Sequence, residues 1–242
     1  METFGIELEV SDISINHARE LIQRAGLTWQ VKMDGTHHVS AEAVSPILER
    51  TTLDEAKGAT RALRLGGATV NRQCGLHIHL GADVYGTEGI ANLAWNWNLA
   101  HATIGALVAK SRLNNRFCTP VSLGELDLQV ETIRNGSIKN IGQHGRYRSL
   151  NLDAYRQHGT VEFRLHHGTL NGAKVKAWSE FVSALANYSK AGSRLNIDDN
   201  WHQPESRLEK VRELLDILHL TGVLHHETSA YLKSRAEELD NR

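Results

Sequence analysis

Cys74-Gly-Leu-His-Ile-His-Leu-Gly81 alternates without error, so an extended chain puts Cys74, Leu76, Ile78 and Leu80 on one side and Gly75, His77, His79 and Gly81 on the other. Phe4-Gly-Ile-Glu-Leu-Glu-Val10 repeats the pattern, with Phe4, Ile6, Leu8 and Val10 opposed to Gly5, Glu7 and Glu9. A third stretch sets Val161, Phe163 and Leu165 against Glu162, Arg164 and His166. Strands that are apolar on one face and ionisable on the other belong to a sheet covered on one side only, which antiparallel sheets permit and parallel sheets do not.

The segments between these strands read as helices. Ala18, Leu21, Ile22 and Ala25 form the stripe of a helix at 15–26 that Gly26 ends. Short strands follow near 27–32 and 38–46. Thr52-Leu-Asp-Glu55 has the capping-box pattern and opens a helix running to Gly66-Gly67. A long helix is expected at 88–110, with Ile90, Leu93, Trp97, Ala100, Ile104 and Leu107 inward. Residues 111–145 carry no clear period beyond a helix at 123–134. Strands near 147–152 and 159–166 flank Gly159, and helices at 172–190, 205–220 and 224–238 finish the chain. The expectation is an α+β fold: a largely antiparallel sheet with one polar, catalytic face, helices on the other face, and further helices at the C-terminus. Residues 1–242 read as a single domain, with 191–242 as a C-terminal helical extension.

A net charge of −1 and no run of Lys and Arg give no indication of nucleic-acid binding. No apolar run approaches the length of a membrane span and no basic-then-apolar leader precedes Phe4, so no membrane partner is expected. Cys74 and Cys118 are too isolated for a disulfide framework, which suits a reducing compartment, and the cytoplasm is the default. The oligomeric state, a homo-oligomer included, is left open. The chain lacks both a Gly-x-Gly-x-x-Gly after a strand and a phosphate loop ending in Gly-Lys-Ser/Thr, so nucleotide use has to be argued otherwise.

What sets the sequence apart is the ionisable face. One strand carrying Glu7 with Glu9, or His77 with His79, or Glu162 with Arg164, could simply be solvated surface. Three such strands together point to a site. Alternate residues on one face lie about 7 Å apart, so Glu7 and Glu9 can serve different cations or opposite sides of a cluster. Carboxylates with one or two imidazoles favour magnesium or manganese over zinc. Asp34 and Glu42 bracket a hairpin and are candidate further ligands, although Asp34-Gly35 is also a favoured turn dipeptide.

In order and spacing, Glu7-Leu-Glu9, Asp34, Glu42, Gly75-Leu-His77-Ile-His79 and Glu162-Phe-Arg164 resemble the metal and nucleotide site of the glutamine synthetase and glutamate–cysteine ligase superfamily. Glu42-Ala-Val-Ser-Pro-Ile-Leu48, Cys74 to Gly81, Arg146-Tyr-Arg-Ser-Leu-Asn151 and Thr160 to Asn171 are similar to the small amidoligases of that superfamily, and the resemblance spans about residues 4–190. It implies a glutamine-synthetase-like sheet and an ATP-dependent carboxylate–amine ligase forming an amide, isopeptide-type bond through an acyl phosphate, with Mg2+ or Mn2+. Its substrates would be small-molecule or peptide carboxylates and amines. Carried over, Glu7, Glu9, Asp34, Glu42, His77 and Glu162 would bind cations, and His79 a nucleotide phosphate. Arg164, with His79 and Glu162, would act in catalysis, Arg164 meeting the transferred phosphoryl group or the substrate carboxylate. Asn151 faces the site. Arg146 and Arg148 are candidate loop-borne phosphate contacts, and Arg112 and Arg116 similar ones. His166 shares the site face by parity. Two other readings are a metal-dependent hydrolase built on His77, His79 and a carboxylate, and a catalytically silent module that binds a nucleotide or peptide. The chain has no room for the extra domains of the larger relatives, so reaction type transfers better than substrate.

Overall fold

The alternating segments pair into one open sheet. The computed structural model describes residues 1–35, 38–137, 147–203 and 205–241. Its strands are β1 (Phe4–Val10), β2 (Gln30–Lys32), β3 (Ala41–Val44), β4 (Leu76–Gly81), β5 (Leu150–Asn151) and β6 (Thr160–Phe163), in the order β2-β3-β1-β4-β6-β5 with every neighbour antiparallel. Register explains the two faces. Ile6 pairs with Ile78, Ile78 with Phe163 and Phe163 with Leu150, which makes a continuous apolar row across four strands. One residue along, Gly5, His79, Glu162 and Asn151 form the matching row on the opposite face.

Helices α1 (Ile15–Arg24), α2 (Glu55–Leu65) and α3 (Gly86–Leu99) cover the apolar side together with α7 (Gly172–Lys190); α1 packs on β2 and β3, while α7 reaches β4 and α3 reaches β5. At the centre of that layer Trp97 is fully buried, edge-on to Phe163 at 4.8 Å, and its indole N–H donates to Ser149 Oγ at 2.9 Å. The remaining helices are α4 (His101–Ile104), α5 (Leu123–Thr132), α6 (Ala154–His158), α8 (Arg207–Leu220) and α9 (His226–Asp240). Among the described residues no helix is long and apolar enough to cross a membrane.

Several boundaries differ from the sequence reading. The helix expected at 88–110 stops at Leu99, where Ala100 leaves helical geometry (φ −87°, ψ 9°), and the chain continues as α4 and a 3-10 turn. The break lets this segment turn toward α8, and Thr103 Oγ1 donates to Trp201 O at 2.6 Å. Thr52 does not cap α2: it closes a 3-10 turn with Glu49, and Asp54 takes the N-cap position, so that α2 begins at Glu55. Helix α6 has no signature of its own beyond Gly159, whose φ of +66° ends it and returns the chain into β6.

Candidate metal centre

Six acidic and imidazole side chains from four strands meet on the open face. Glu7 and Glu9 come from β1, Glu42 from β3, His77 and His79 from β4, and Glu162 from β6; all line a cavity of about 420 Å³. Glu9 and Glu42 are cross-strand partners, as are Glu7 and His77, and His79 and Glu162, so the sheet register itself brings the charges together. His77 Nδ1 lies 3.1 Å from Glu7 Oε2 and 3.5 Å from Glu162 Oε1, and its Nε2 lies 3.6 Å from Glu9 Oε1. His79 Nδ1 is 2.9 Å from Thr160 Oγ1, and its Nε2 is 3.5 Å from Glu7 Oε1 and 3.9 Å from Glu162 Oε1. That buried Nε2 makes no hydrogen bond among the described residues.

Close packing of like charges shows in the acidities. Burial alone would raise the Glu7 carboxyl, but hydrogen bonds and charges from His77 and His79 outweigh it and hold Glu7 well below the usual carboxylate range. Burial and the neighbouring Glu7 push Glu42 up to about 8, against the downward pull of Lys32. Burial likewise works against ionised Glu162, yet His77, Arg164 and His79 lower its pKa. Without a cation, the cluster thus favours the protonated form of Glu42 more than an exposed site would, while Lys32 and Arg164 stand beside Glu42 and Glu162 as countercharges.

Two sets of three donor atoms lie within 4.8 Å of one another: Glu7, His79 and Glu162, and Glu7, Glu42 and His77. Cis and trans donors around six-coordinate Mg2+ or Mn2+ are about 3.0 and 4.2 Å apart, so each set is close to the size of such a sphere, with Glu7 common to the two. Oxygen outnumbers nitrogen in each, and neither cysteine takes part, which suits a hard cation. Gly75 leaves the needed space: a Cβ there would lie 2.7 Å from His77 Nε2 and 3.3 Å from Glu9 Oε2. The Gly75 N–H also donates to Glu9 Oε2 at 2.5 Å, leaving Glu9 outside both donor sets.

Arg164 lies just beyond the end of β6, bonds Glu162 Oε1 and points into the cavity, while Asn151 Nδ2 donates to Glu162 Oε2 at 2.6 Å. Arg112 is buried and donates to Leu165 O at 3.2 Å and Arg164 O at 2.7 Å, bracing the backbone that carries Arg164. Arg116 stacks on Phe117 with its guanidinium 4.7 Å from the ring centre, in an adjoining cavity that Tyr147 also lines. Asp34 lines the main cavity but joins neither donor set. Arg148 does not line it; its guanidinium donates to Pro120 O at 2.7 Å, because residue 148 precedes β5 and bridges to Thr119. Arg146 lies outside the described residues. His166 is a correction to strict parity: β6 ends at Phe163, and His166 turns into the helix layer, 5.0 Å from Trp178. Sequence reasoning missed Lys32, Gln73, Phe117, Asp153, Gln157 and His158, which also line the cavity. Lys32 had a signal, since it stands opposite Glu42 in the hairpin and so shares its face.

An antiparallel sheet whose open face gathers carboxylates and imidazoles into two compact sets of donors is a candidate site for divalent cations. The chain belongs to the family described as "Putative amidoligase enzyme", whose model matches residues 28–186. That is a family of ligases that form amide bonds. The matched region holds Glu42, His77, His79 and Glu162, whereas β1, with Glu7 and Glu9, precedes it and enters the middle of the same sheet. No curated protein matches the chain.

Proposed function

We propose that the protein is an ATP-dependent ligase that joins a carboxylate to an amine through an acyl phosphate, with Mg2+ or Mn2+ held by the cluster. The observation that carries this reading is the pair of donor sets sharing Glu7 on one sheet face. Four carboxylates so close together are costly without countercharge, and two cations supply it.

In this reading a substrate carboxylate oxygen attacks the γ-phosphorus of ATP, ADP leaves, and the amine nitrogen then attacks the acyl carbon. Phosphate departs and the amine gives up its proton. The bound cations would neutralise phosphate charge. Glu7, Glu42, His77, His79 and Glu162 would hold them, and Asn151 fixes the Glu162 carboxylate by its 2.6 Å bond. Arg164 is enclosed and oriented by Glu162, which suits a guanidinium that meets charge on a phosphoryl group in transit. Arg112 positions Arg164 through its backbone carbonyl. Arg116, Phe117 and Tyr147, at the outer end of the site, supply one cation and two aromatic rings for a carboxylate substrate.

The test is product analysis. Incubation with ATP, Mg2+ and a panel of carboxylates and amines is expected to give ADP and phosphate only when both substrates are present. AMP and pyrophosphate would establish adenylation instead, and substrate cleavage without nucleotide would establish a hydrolase.

A further inference from the structure

The two donor sets are not equivalent, because one of them already has a mobile cation beside it. Lys32 Nζ lies 3.1 Å from Glu42 Oε2 and 3.9 Å from Glu7 Oε1, the two carboxylates of the Glu7, Glu42 and His77 set. The cause is topological. Lys32 and Glu42 are direct cross-strand partners on the same face, and β2 is an edge strand, so the lysine stem hangs over the rim of the site. Its side chain is 55% exposed, and its ammonium is free to leave by rotating a four-carbon chain. Arg164 at the other set differs: its side chain is 12% exposed and is held by both Glu162 and Phe117 O.

An ammonium and a divalent cation about 4 Å apart between the same two carboxylates repel each other strongly. We propose that Lys32 is a built-in competitor for the second cation: its ammonium occupies the Glu7, Glu42 and His77 position until a cation displaces it. This rests on the reading of the cluster as a cation site. It makes that position the weaker of the two. It also couples cation loading to ligand entry, because Lys32 lines both the main cavity and the neighbouring one of about 580 Å³. Once displaced, the ammonium is available there to an anionic oxygen of the entering ligand.

The experiment is a Mn2+ titration followed by electron paramagnetic resonance of the free ion, on the full chain, comparing wild type, Lys32→Met, Glu42→Gln and the double variant. Exposed ion pairs are worth up to about 1 kcal/mol, so Lys32→Met is expected to tighten the weaker class of sites by about two- to fivefold. The tighter class should move less than twofold. In the Glu42→Gln background the lysine substitution should have no effect, since the carboxylate it competes for is gone. Thermal unfolding in chelator checks that each variant folds. Unchanged or weakened Mn2+ binding in Lys32→Met overturns the proposal, and so does an equal gain at both classes, which would be a general charge effect. Absence of any Mn2+ binding to wild type and variant alike would overturn the cation reading itself, and the competitor with it.

Discussion

Replacing Glu42 by glutamine should make the metal-free protein more stable, and increasingly so as pH rises. Glu42 is buried, and burial with the Glu7 charge raises its carboxyl from an ordinary 4.5 to about 8. Between those values the folded protein keeps a proton that the unfolded chain releases. The stabilisation from this group is therefore complete below pH 4.5 and drains away as pH climbs to 8, at up to about 1.4 kcal/mol per pH unit. Glutamine keeps the shape of the protonated acid and does not titrate. Glu7, whose carboxyl is held below the usual range, stays ionised throughout this window and leaves the slope unaltered. From pH 6 to 7.5 the variant should gain about 2 kcal/mol on wild type, which for a chain of this size is about 4 to 8 °C in Tm. Thermal unfolding in excess chelator at half-unit pH steps measures it. Saturating Mn2+ should then reverse the order, because only the wild type retains both donor sets. A difference that stays constant from pH 5 to 8, or a variant less stable at pH 7.5, would refute the reasoning.

Three further substitutions follow from the geometry. Gly75→Ala puts a methyl group 2.7 Å from His77 Nε2, and should weaken Mn2+ binding tenfold or more by calorimetry while leaving the circular dichroism spectrum unchanged. Arg164→Ala should lower kcat with little change in nucleotide affinity, because an interaction made only in the transition state appears in the rate; equal loss in both would assign Arg164 to ground-state binding. Trp97→Ala removes a fully buried indole packed on Phe163 and bonded to Ser149, and should cost about 3 to 5 kcal/mol in denaturant unfolding; a loss below about 1 kcal/mol would show that the helix layer does not depend on it.

The sheet was legible because period-two alternation survives wherever one face is buried and the other is not. Phe4 to Val10 and Leu76 to Gly81 therefore announced both their strand state and their facing, and with them the placement of Glu7, Glu9, His77 and His79 on one surface. Shorter elements gave less. Lys32 sits on a three-residue strand with no alternation to read, and only its pairing with Glu42 places it at the site. Helix α6 has five residues, too few for a helical period, yet it brings Gln157 and His158 to the cavity. Parity misplaced His166 because it assumes that the strand continues, and β6 ends three residues earlier. The break after Leu99 was hidden because the apolar spacing runs on through Ile104 and Leu107 while the backbone turns to meet α8.

Everything proposed for this site depends on one sheet face holding two divalent cations with Glu7 between them. Diffraction at the manganese absorption edge, from crystals grown with Mn2+ and a non-hydrolysable ATP analogue, tests it most directly. Two anomalous peaks are expected on either side of Glu7, one bound by His79 and Glu162 and the other by Glu42 and His77, with phosphate oxygens completing the spheres. No peak at the cluster, or manganese held there without Glu7, would contradict it.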